Sequence, residues 1–162
     1  MIKEEILPPL KTAVDNKMVS WRLRFSVAEV AAKMSEFLDK DLIDNEIVIL
    51  YENLISDKEP EVKSEAISKL EYLSKTASPS RLTEKILQVS QNIALNDASQ
   101  HVRASLALSI CNVAKNIGKQ NALTYAVPIV QQLLKDQATE VRIEVMSHLK
   151  KLIEVIGTEE FD

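Results

Sequence analysis

The stretch Asp97-Ala98-Ser99-Gln100-His101-Val102-Arg103 consists of an aspartate, four variable residues, an apolar residue and a base. The same arrangement recurs at residues 57–63 and 136–142 and, with three extra residues, at 15–24. The bases that end these stretches stand at positions 24, 63, 103 and 142, so they are 39, 40 and 39 residues apart. A period of about 40 residues is typical of solenoids built from helical hairpins.

An apolar pattern follows each base and has the same register in all four copies. The residues 3, 4, 7, 10 and 14 positions after the base are Val27, Ala28, Ala31, Met34 and Leu38; Ala66, Ile67, Leu70, Leu73 and Ala77; Leu106, Ala107, Ile110, Val113 and Ile117; and Val145, Met146, Leu149, Leu152 and Ile156. Steps of three and four residues put these side chains on one face of a helix. A single hairpin cannot bury such a face, so we expect the hairpins to stack.

A second apolar segment precedes each aspartate and predicts the other helix of each hairpin. We expect first helices near residues 2–14, 41–56, 81–96 and 120–135, and second helices near 20–38, 60–77, 99–117 and 138–156. The predicted repeats are 1–39, 40–78, 79–118 and 119–157, followed by a tail at 158–162. Pro8 and Pro128 lie inside first helices, where a missing N–H predicts a kink. The predicted fold is all-α, a right-handed α-α superhelix of about four antiparallel hairpins.

The composition excludes several other classes of protein. Two Gly and 4% aromatic residues argue against an all-β fold and against a glycine-rich phosphate loop. The net charge of −4, with both signs interspersed, argues against a nucleic-acid partner, and no apolar run is long enough for a membrane partner. The single cysteine excludes an intrachain disulfide and favours a reducing compartment. We therefore expect a cytoplasmic location and leave a nuclear one open.

The residues that could carry catalysis are few and scattered. His101 and His148 occupy different repeats and unlike positions, and no metal-binding or nucleophile motif surrounds them. Cys111 lies among core positions, where a cysteine is usually a small buried apolar residue. We expect no catalytic residue, cofactor, metal ion or small-molecule substrate. The alternative is an enzyme, which catalytic activity in the purified chain would support.

The repeats resemble HEAT repeats, and in particular the central repeats of the protein phosphatase 2A scaffold (A) subunit family. The resemblance rests on the aspartate–valine–base motif, the mid-helix prolines and the period, and on stretches at 20–24, 97–103, 140–142 and 154–157. It implies that the turns inside the hairpins form a ridge, and that the first turns contact a phosphatase regulatory subunit. It also implies that the main site for the catalytic subunit would lie beyond Asp162. Two departures are Lys63, where the family pattern favours Arg, and the longer first turn.

The recurring aspartates and bases predict a ladder of ion pairs along the stack. An aspartate at the turn can accept hydrogen bonds from N–H groups of the second helix, and each base can bind the aspartate of the neighbouring turn. The predicted members are Arg24, Asp57, Lys63, Asp97, Arg103, Asp136 and Arg142. Lys63 should be the weakest member because it lacks the forked donors of Arg. The alternative is a set of solvated pairs with little effect on stability.

Polar residues around the turns are the predicted protein-binding surface, which we call the turn ridge. It comprises Trp21, Arg22, Lys58, Glu59, Glu61, Gln100, His101, Thr139 and Glu140. Trp21 beside Arg22 has the composition of an interface anchor, and the equal alternative is a Trp packed against the next turn.

Two other arrangements remain open at this stage. A solenoid could bind a cargo peptide on its concave face, although the exposed positions of the second helices mix Glu29, Lys33, Lys69, Lys115, Lys150 and Lys151. The helices could also form a closed bundle without a ridge, which scattering in solution would distinguish from an elongated stack.

Overall fold

The computed structural model describes residues 1–16 and 18–157, and in this part of the chain it contains helices and turns but no strand. The predicted tail at 158–162 lies outside the described residues. The first helices of hairpins 1 to 4 are Ile2–Ile6 with Leu7–Asp15; Lys40–Leu42, Ile43–Ile47 and Val48–Ile55; Pro79–Leu82, Thr83–Leu87 and Gln88–Asn96; and Lys119–Asn121, Ala122–Ala126 and Val127–Leu134. The second helices are Trp21–Met34 with Ser35–Phe37; Pro60–Ser68 with Leu70–Thr76; Gln100–Ile117; and Thr139–Ile156. These bounds lie within two residues of the predicted ones.

Every first helix contains a π-helical turn at the same place. The turns are Ile2–Ile6, Ile43–Ile47, Thr83–Leu87 and Ala122–Ala126. Pro8 and Pro128 each stand two residues after such a turn, but Ile49 and Val89 hold the equivalent positions in hairpins 2 and 3. The departure from α-helical hydrogen bonding is therefore a feature of the repeat, and proline alone does not cause it.

The predicted apolar stripes form the core of the stack. In hairpins 2 and 3 all ten stripe residues are buried. In hairpin 1, Met34 and Leu38 are only partly buried, as is Leu149 in hairpin 4. The prediction was wrong for Met146, which is 60% exposed. Its equivalents in hairpins 2 and 3 are buried against the next second helix, and the described residues hold no hairpin after the fourth to cover it.

Second helices pack in chain order, each on that of the next hairpin. The hydroxyl of Tyr51 donates to the carbonyl of Ala28, which joins hairpins 1 and 2. Ser109 Oγ donates to the carbonyl of Ile67 at 2.8 Å, next to the break in the second helix at Lys69. The molecule is thus an all-α stack of hairpins, which confirms the predicted repeat superhelix. No helix within residues 1–16 and 18–157 is long and apolar enough to cross a membrane.

The two ends of the stack expose faces that are buried inside it. The apolar residue before the base is fully buried in hairpins 2 to 4, as Val62, Val102 and Val141. Leu23 holds this position in hairpin 1 and is 48% exposed. These residues therefore pack towards the preceding hairpin, and burial along the stack comes from the neighbours.

Two core substitutions test this register. Leu70 and Ile110 are 2% and 1% exposed, so Leu70→Ala and Ile110→Ala should each lower the free energy of unfolding by about 2–5 kcal/mol. Leu149→Ala should cost less because Leu149 is only partly buried. Phe37→Ala is the control, since Phe37 is 81% exposed. Urea denaturation measures the difference, and unchanged midpoints for both core variants would contradict the register.

Candidate functional site

Buried ion pairs join each turn to the next. Arg24 of hairpin 1 donates from Nε to Asp57 Oδ2 at 2.7 Å and from Nη2 to Oδ1 at 3.0 Å. Arg103 of hairpin 3 repeats this fork on Asp136, at 2.6 and 3.1 Å. All four side chains are less than 10% exposed. These contacts are charge-assisted and bidentate, the strongest geometry for this kind of pair.

Lys63 forms the middle rung with a different geometry. Its Nζ binds Asp97 Oδ2 of the next turn, a single contact where each arginine makes two. Its side chain is 16% exposed, against 1% for Arg24 and 9% for Arg103. A single ammonium contact in a more open site gives this rung less directional control than its neighbours.

Each arginine also binds its own turn, through a backbone carbonyl. Arg24 Nη1 donates to the carbonyl of Val19, Arg103 Nη1 to that of Asp97, and Arg142 Nη1 to that of Asp136. The three distances are 2.5–2.6 Å. Arg24 and Arg103 thus bind the carboxylate of the next turn, as predicted, together with a backbone carbonyl of their own turn. Arg142 Nη2 donates to Thr139 Oγ1 at 3.1 Å, within its own helix.

The ladder aspartates also shape the turns that carry them. Oδ1 of Asp57, Asp97 and Asp136 accepts the backbone N–H two residues later, at 2.9–3.0 Å. Those N–H groups belong to the residues immediately before the second helices, so the contact forms the turn and does not cap the helix itself. One carboxylate therefore fixes both the local turn and the distance to the previous hairpin.

The longer first turn has a different register. The residue six positions before Arg24 is Met18, which is 93% exposed and has no carboxylate. Asn16 Oδ1 accepts the N–H of Met18 at 3.0 Å and takes over the turn-forming contact. Asp15 instead accepts a hydrogen bond from Asn53 Nδ2 at 3.3 Å. The ladder in the described residues thus begins at Arg24.

The side chain of Trp21 packs partly against its neighbours and is partly exposed to solvent. It is half-buried, and its ring meets that of Phe25 edge to face with the centroids 6.5 Å apart. The guanidinium of the exposed Arg22 lies 4.7 Å from the centre of the Trp21 ring. The pair is therefore a preformed aromatic and cationic surface beside the first turn. Lys58, Gln100 and Thr139 are also exposed, and Glu59 is half-buried.

A polar groove of about 390 Å³ lies between the turns of hairpins 3 and 4. Its lining includes Leu95, Arg103, Gln132, Lys135 and Gln137. Leu95 is 55% exposed. The sequence could have indicated this residue, because it is apolar and stands near the end of a first helix. Sequence reasoning missed Gln132 and Lys135 because they lie before the turn and line a groove only together with residues of the preceding hairpin.

Three predicted ridge residues lie elsewhere. Glu61, His101 and Glu140 line small pockets formed by second helices alone, a surface that we call the inner face. Each stands two residues before a ladder base and inside its second helix. The turn ridge is therefore narrower than predicted, although Gln100 Nε2 lies 3.5 Å from Glu140 Oε2 and links the two surfaces.

His101 and Cys111 belong to hairpin 3, and His148 belongs to hairpin 4. Burial raises the pKa of the Cys111 thiol to about 11, so it is protonated at neutral pH. His148 Nδ1 lies 2.9 Å from the carbonyl of Glu144 in its own helix, whereas His101 lies on the inner face of hairpin 3. Among residues 1–16 and 18–157 no group of three or more His, Cys, Asp or Glu side chains could hold a metal ion.

The ladder predicts a specific pH dependence of stability. Hydrogen bonds from Arg103 hold the pKa of Asp136 below its ordinary value, against the opposing effect of burial. A depressed pKa in the folded state adds stability above the unfolded pKa of about 4, and this stability is lost as the pH falls further. Asp136→Asn should therefore lower the free energy of unfolding by about 3 kcal/mol at pH 7, and by progressively less below pH 4.

Urea unfolding of both proteins between pH 7 and pH 2.5 measures this difference. Asp41→Asn is the control, since Asp41 is exposed and outside the ladder. A difference between wild type and Asp136→Asn that stays constant over the whole range would show that the pair does not contribute through its charge.

Comparisons with known proteins agree with this geometry. Residues 40–118 match the family described as PPP2R1A-like HEAT repeat. The chain is 28% identical over 115 residues to the beta isoform of the human serine/threonine-protein phosphatase 2A 65 kDa regulatory (A) subunit, covering 68% of this chain and 19% of the relative. The mouse protein of the same name is 34% identical over 55 residues, or 34% of this chain and 9% of the relative. The chain thus spans less than a fifth of the length of these relatives.

A solved structure of the designed armadillo repeat protein YIII(Dq)4CqI has a similar fold. The TM-score is 0.59 with 18% sequence identity, over 93% of this chain and 66% of the designed one. At this identity the likeness concerns the fold alone. The repeat motif, the stacked hairpins and the sequence matches together make this chain similar to HEAT-repeat proteins, and in particular to the 65 kDa regulatory (A) subunit of protein phosphatase 2A.

Proposed function

We propose that the chain is a non-catalytic scaffold that binds other proteins through its turn ridge. The partner proposed from the resemblance is a regulatory subunit of protein phosphatase 2A, and the catalytic subunit is a second proposed partner. The observation that carries the proposal is the set of buried pairs between neighbouring turns, above all the bidentate Arg24–Asp57 and Arg103–Asp136 contacts.

The physical reason is preorganisation. Turns on an unconstrained surface would lose conformational freedom when a partner orders them, and that loss weakens binding. Here each ladder aspartate holds its own turn and binds the previous hairpin. A partner that contacts several turns meets groups that are already in place, so most of the contact energy remains available for affinity.

A non-catalytic role and the proposed location have independent support. The sequence relatives carry the name of a regulatory subunit, and the only cysteine is buried with a raised pKa. A free, buried cysteine is consistent with a reducing compartment, so we propose a cytoplasmic location and leave a nuclear one open.

Trp21 and Arg22 provide the sharpest test of the ridge. Large aromatic and Arg side chains carry most of the energy of protein interfaces, so Trp21→Ala with Arg22→Ala should weaken binding by about 2 kcal/mol or more. Because Trp21 also packs against Phe25, the double variant should melt somewhat below wild type. Titration calorimetry against the purified phosphatase regulatory subunit, well below both melting temperatures, measures the affinity.

Phe37→Ala is the matched control, because Phe37 is an exposed aromatic residue at the opposite end of the same hairpin arm. It should bind like wild type. Equal affinity of wild type and the Trp21/Arg22 double variant would remove the main support for the ridge.

A further inference from the structure

The polar groove between the turns of hairpins 3 and 4 continues into a second opening. The groove has a volume of about 390 Å³. The adjoining opening, of about 460 Å³, shares Ala98, Arg103 and Gln137 with its lining. The ion pair between Arg103 and Asp136 lies in this lining and joins the two hairpins there. The two spaces therefore form one continuous groove, which we call the turn groove.

The residue after the ladder aspartate explains why this groove is open. This position holds Lys58 in hairpin 2 and Gln137 in hairpin 4, but Ala98 in hairpin 3. Ala98 is exposed and lines both parts of the turn groove. A methyl group leaves free the space that a longer side chain would occupy. The groove is thus a consequence of the sequence of this one turn.

One wall of the turn groove carries an exposed apolar side chain. Leu95 lies near the end of the first helix of hairpin 3 and is 55% exposed. Its equivalent in hairpin 2, Ile55, is fully buried, and Leu134 of hairpin 4 is partly buried against the core. An apolar group placed on Leu95 would remove this surface from water, which favours binding in proportion to the area covered.

The opposite wall carries a cation without a partner. Lys135 follows the first helix of hairpin 4 and is exposed. The carboxylates of the lining already have partners, since Asp136 is paired with Arg103 and Asp97 with Lys63. In the part of the chain that the structure describes, no carboxylate forms an ion pair with Lys135. The turn groove therefore has one uncompensated positive charge, which complements an anionic group.

Two glutamine side chains also line the turn groove. Within residues 1–16 and 18–157, the side-chain amides of Gln132 and Gln137 have no hydrogen-bond partner in the protein. A primary amide donates through its nitrogen and accepts through its oxygen, so it can bind both polar groups of a peptide backbone. These amides suit an extended chain, whose N–H and C=O groups are not bonded to each other.

We propose that the turn groove binds an extended segment of a partner protein in which an acidic residue stands next to an aliphatic one. The aliphatic side chain packs on Leu95, the carboxylate pairs with Lys135, and the backbone binds the glutamine amides. The two residues are adjacent because neighbouring side chains of an extended chain point in opposite directions, towards opposite walls. The inference rests on the proposed function, in which partners bind at the turns, and adds the chemistry of the bound segment.

The test follows the backbone amide signals of the full chain by NMR while a peptide is added. The peptide is Ser-Gly-Leu-Glu-Gly-Ser with both termini blocked, and chemical shifts report both weak binding and its location. We expect saturable shifts at Leu95, Ala98 and Gln137, with an affinity that falls as salt rises. A peptide with Lys in place of Glu should bind about threefold more weakly, because the pair with Lys135 is exposed and therefore modest in strength.

Ala98→Gln fills the turn groove without changing the net charge. Gln is the residue at the equivalent position of hairpin 4, so the turn can accommodate it and a thermal melt should match that of wild type. The affinity for the peptide should fall about tenfold or more, because the longer side chain occupies the space of the peptide.

Lys135→Ala tests the charge separately from the shape. It should weaken binding about threefold and remove the preference for the Glu peptide over the Lys peptide. Lys119→Ala is the matched control, because Lys119 is an exposed lysine at the other end of the first-helix segment of the same hairpin. It should bind the peptide like wild type.

Three results would overturn the inference. They are the absence of saturable shifts at the turn groove, equal affinity of wild type and Ala98→Gln for the peptide, and equal affinity for the Glu and Lys peptides. Failure of the proposed function has a different outcome. Wild type that binds the peptide but not the phosphatase regulatory subunit would contradict the proposed partner, whereas binding of the subunit without binding of the peptide would contradict the groove alone.

Discussion

The structure depends on ion pairs that connect turns of neighbouring hairpins. Burying a charge is unfavourable unless its partner and its remaining hydrogen bonds are provided. Arg103 meets this condition because Nε and Nη2 bind Asp136 while Nη1 binds the carbonyl of Asp97. The carboxylate of Asp136 also accepts the N–H of Ala138. The shape of one turn is therefore set partly by a residue from the hairpin before it, and loss of either partner leaves a buried charge.

The opposite end of the second helices has its own connections between hairpins. Thr76 Oγ1 lies 3.2 Å from Ser35 Oγ, Asn116 Nδ2 donates to Ser74 Oγ at 2.9 Å, and Lys151 Nζ donates to Asn112 Oδ1 at 2.7 Å. Apolar stripes supply most of the stacking free energy, and polar contacts at both ends set the relative placement of the helices. Because polar contacts join the second helices of neighbouring hairpins at both ends, the inner face can keep small pockets open.

Periodic features of the molecule were predictable from the sequence, whereas features that need a neighbour were not. The spacing from Asp97 to Arg103 recurs along the chain. It therefore predicted the hairpins and the position of Arg103 next to the aspartate of the following turn. The exposure of Met146 depends on what covers hairpin 4, and the solitary hydroxyl of Ser64 depends on the backbone around it. The π-helical turns leave no residue signature, since Pro8 and Ile49 occupy equivalent positions after them.

Hydrogen exchange across one rung tests most directly whether neighbouring turns act as a unit. Arg103→Met alters only a residue of hairpin 3, but it removes the partner of Asp136 in hairpin 4. The account predicts faster amide exchange in the turn of hairpin 4, at Gln137 and Ala138. It also predicts that adding Asp136→Leu recovers much of the stability lost, because no buried charge then remains. Faster exchange confined to hairpin 3, with simply additive losses of stability, would contradict the account.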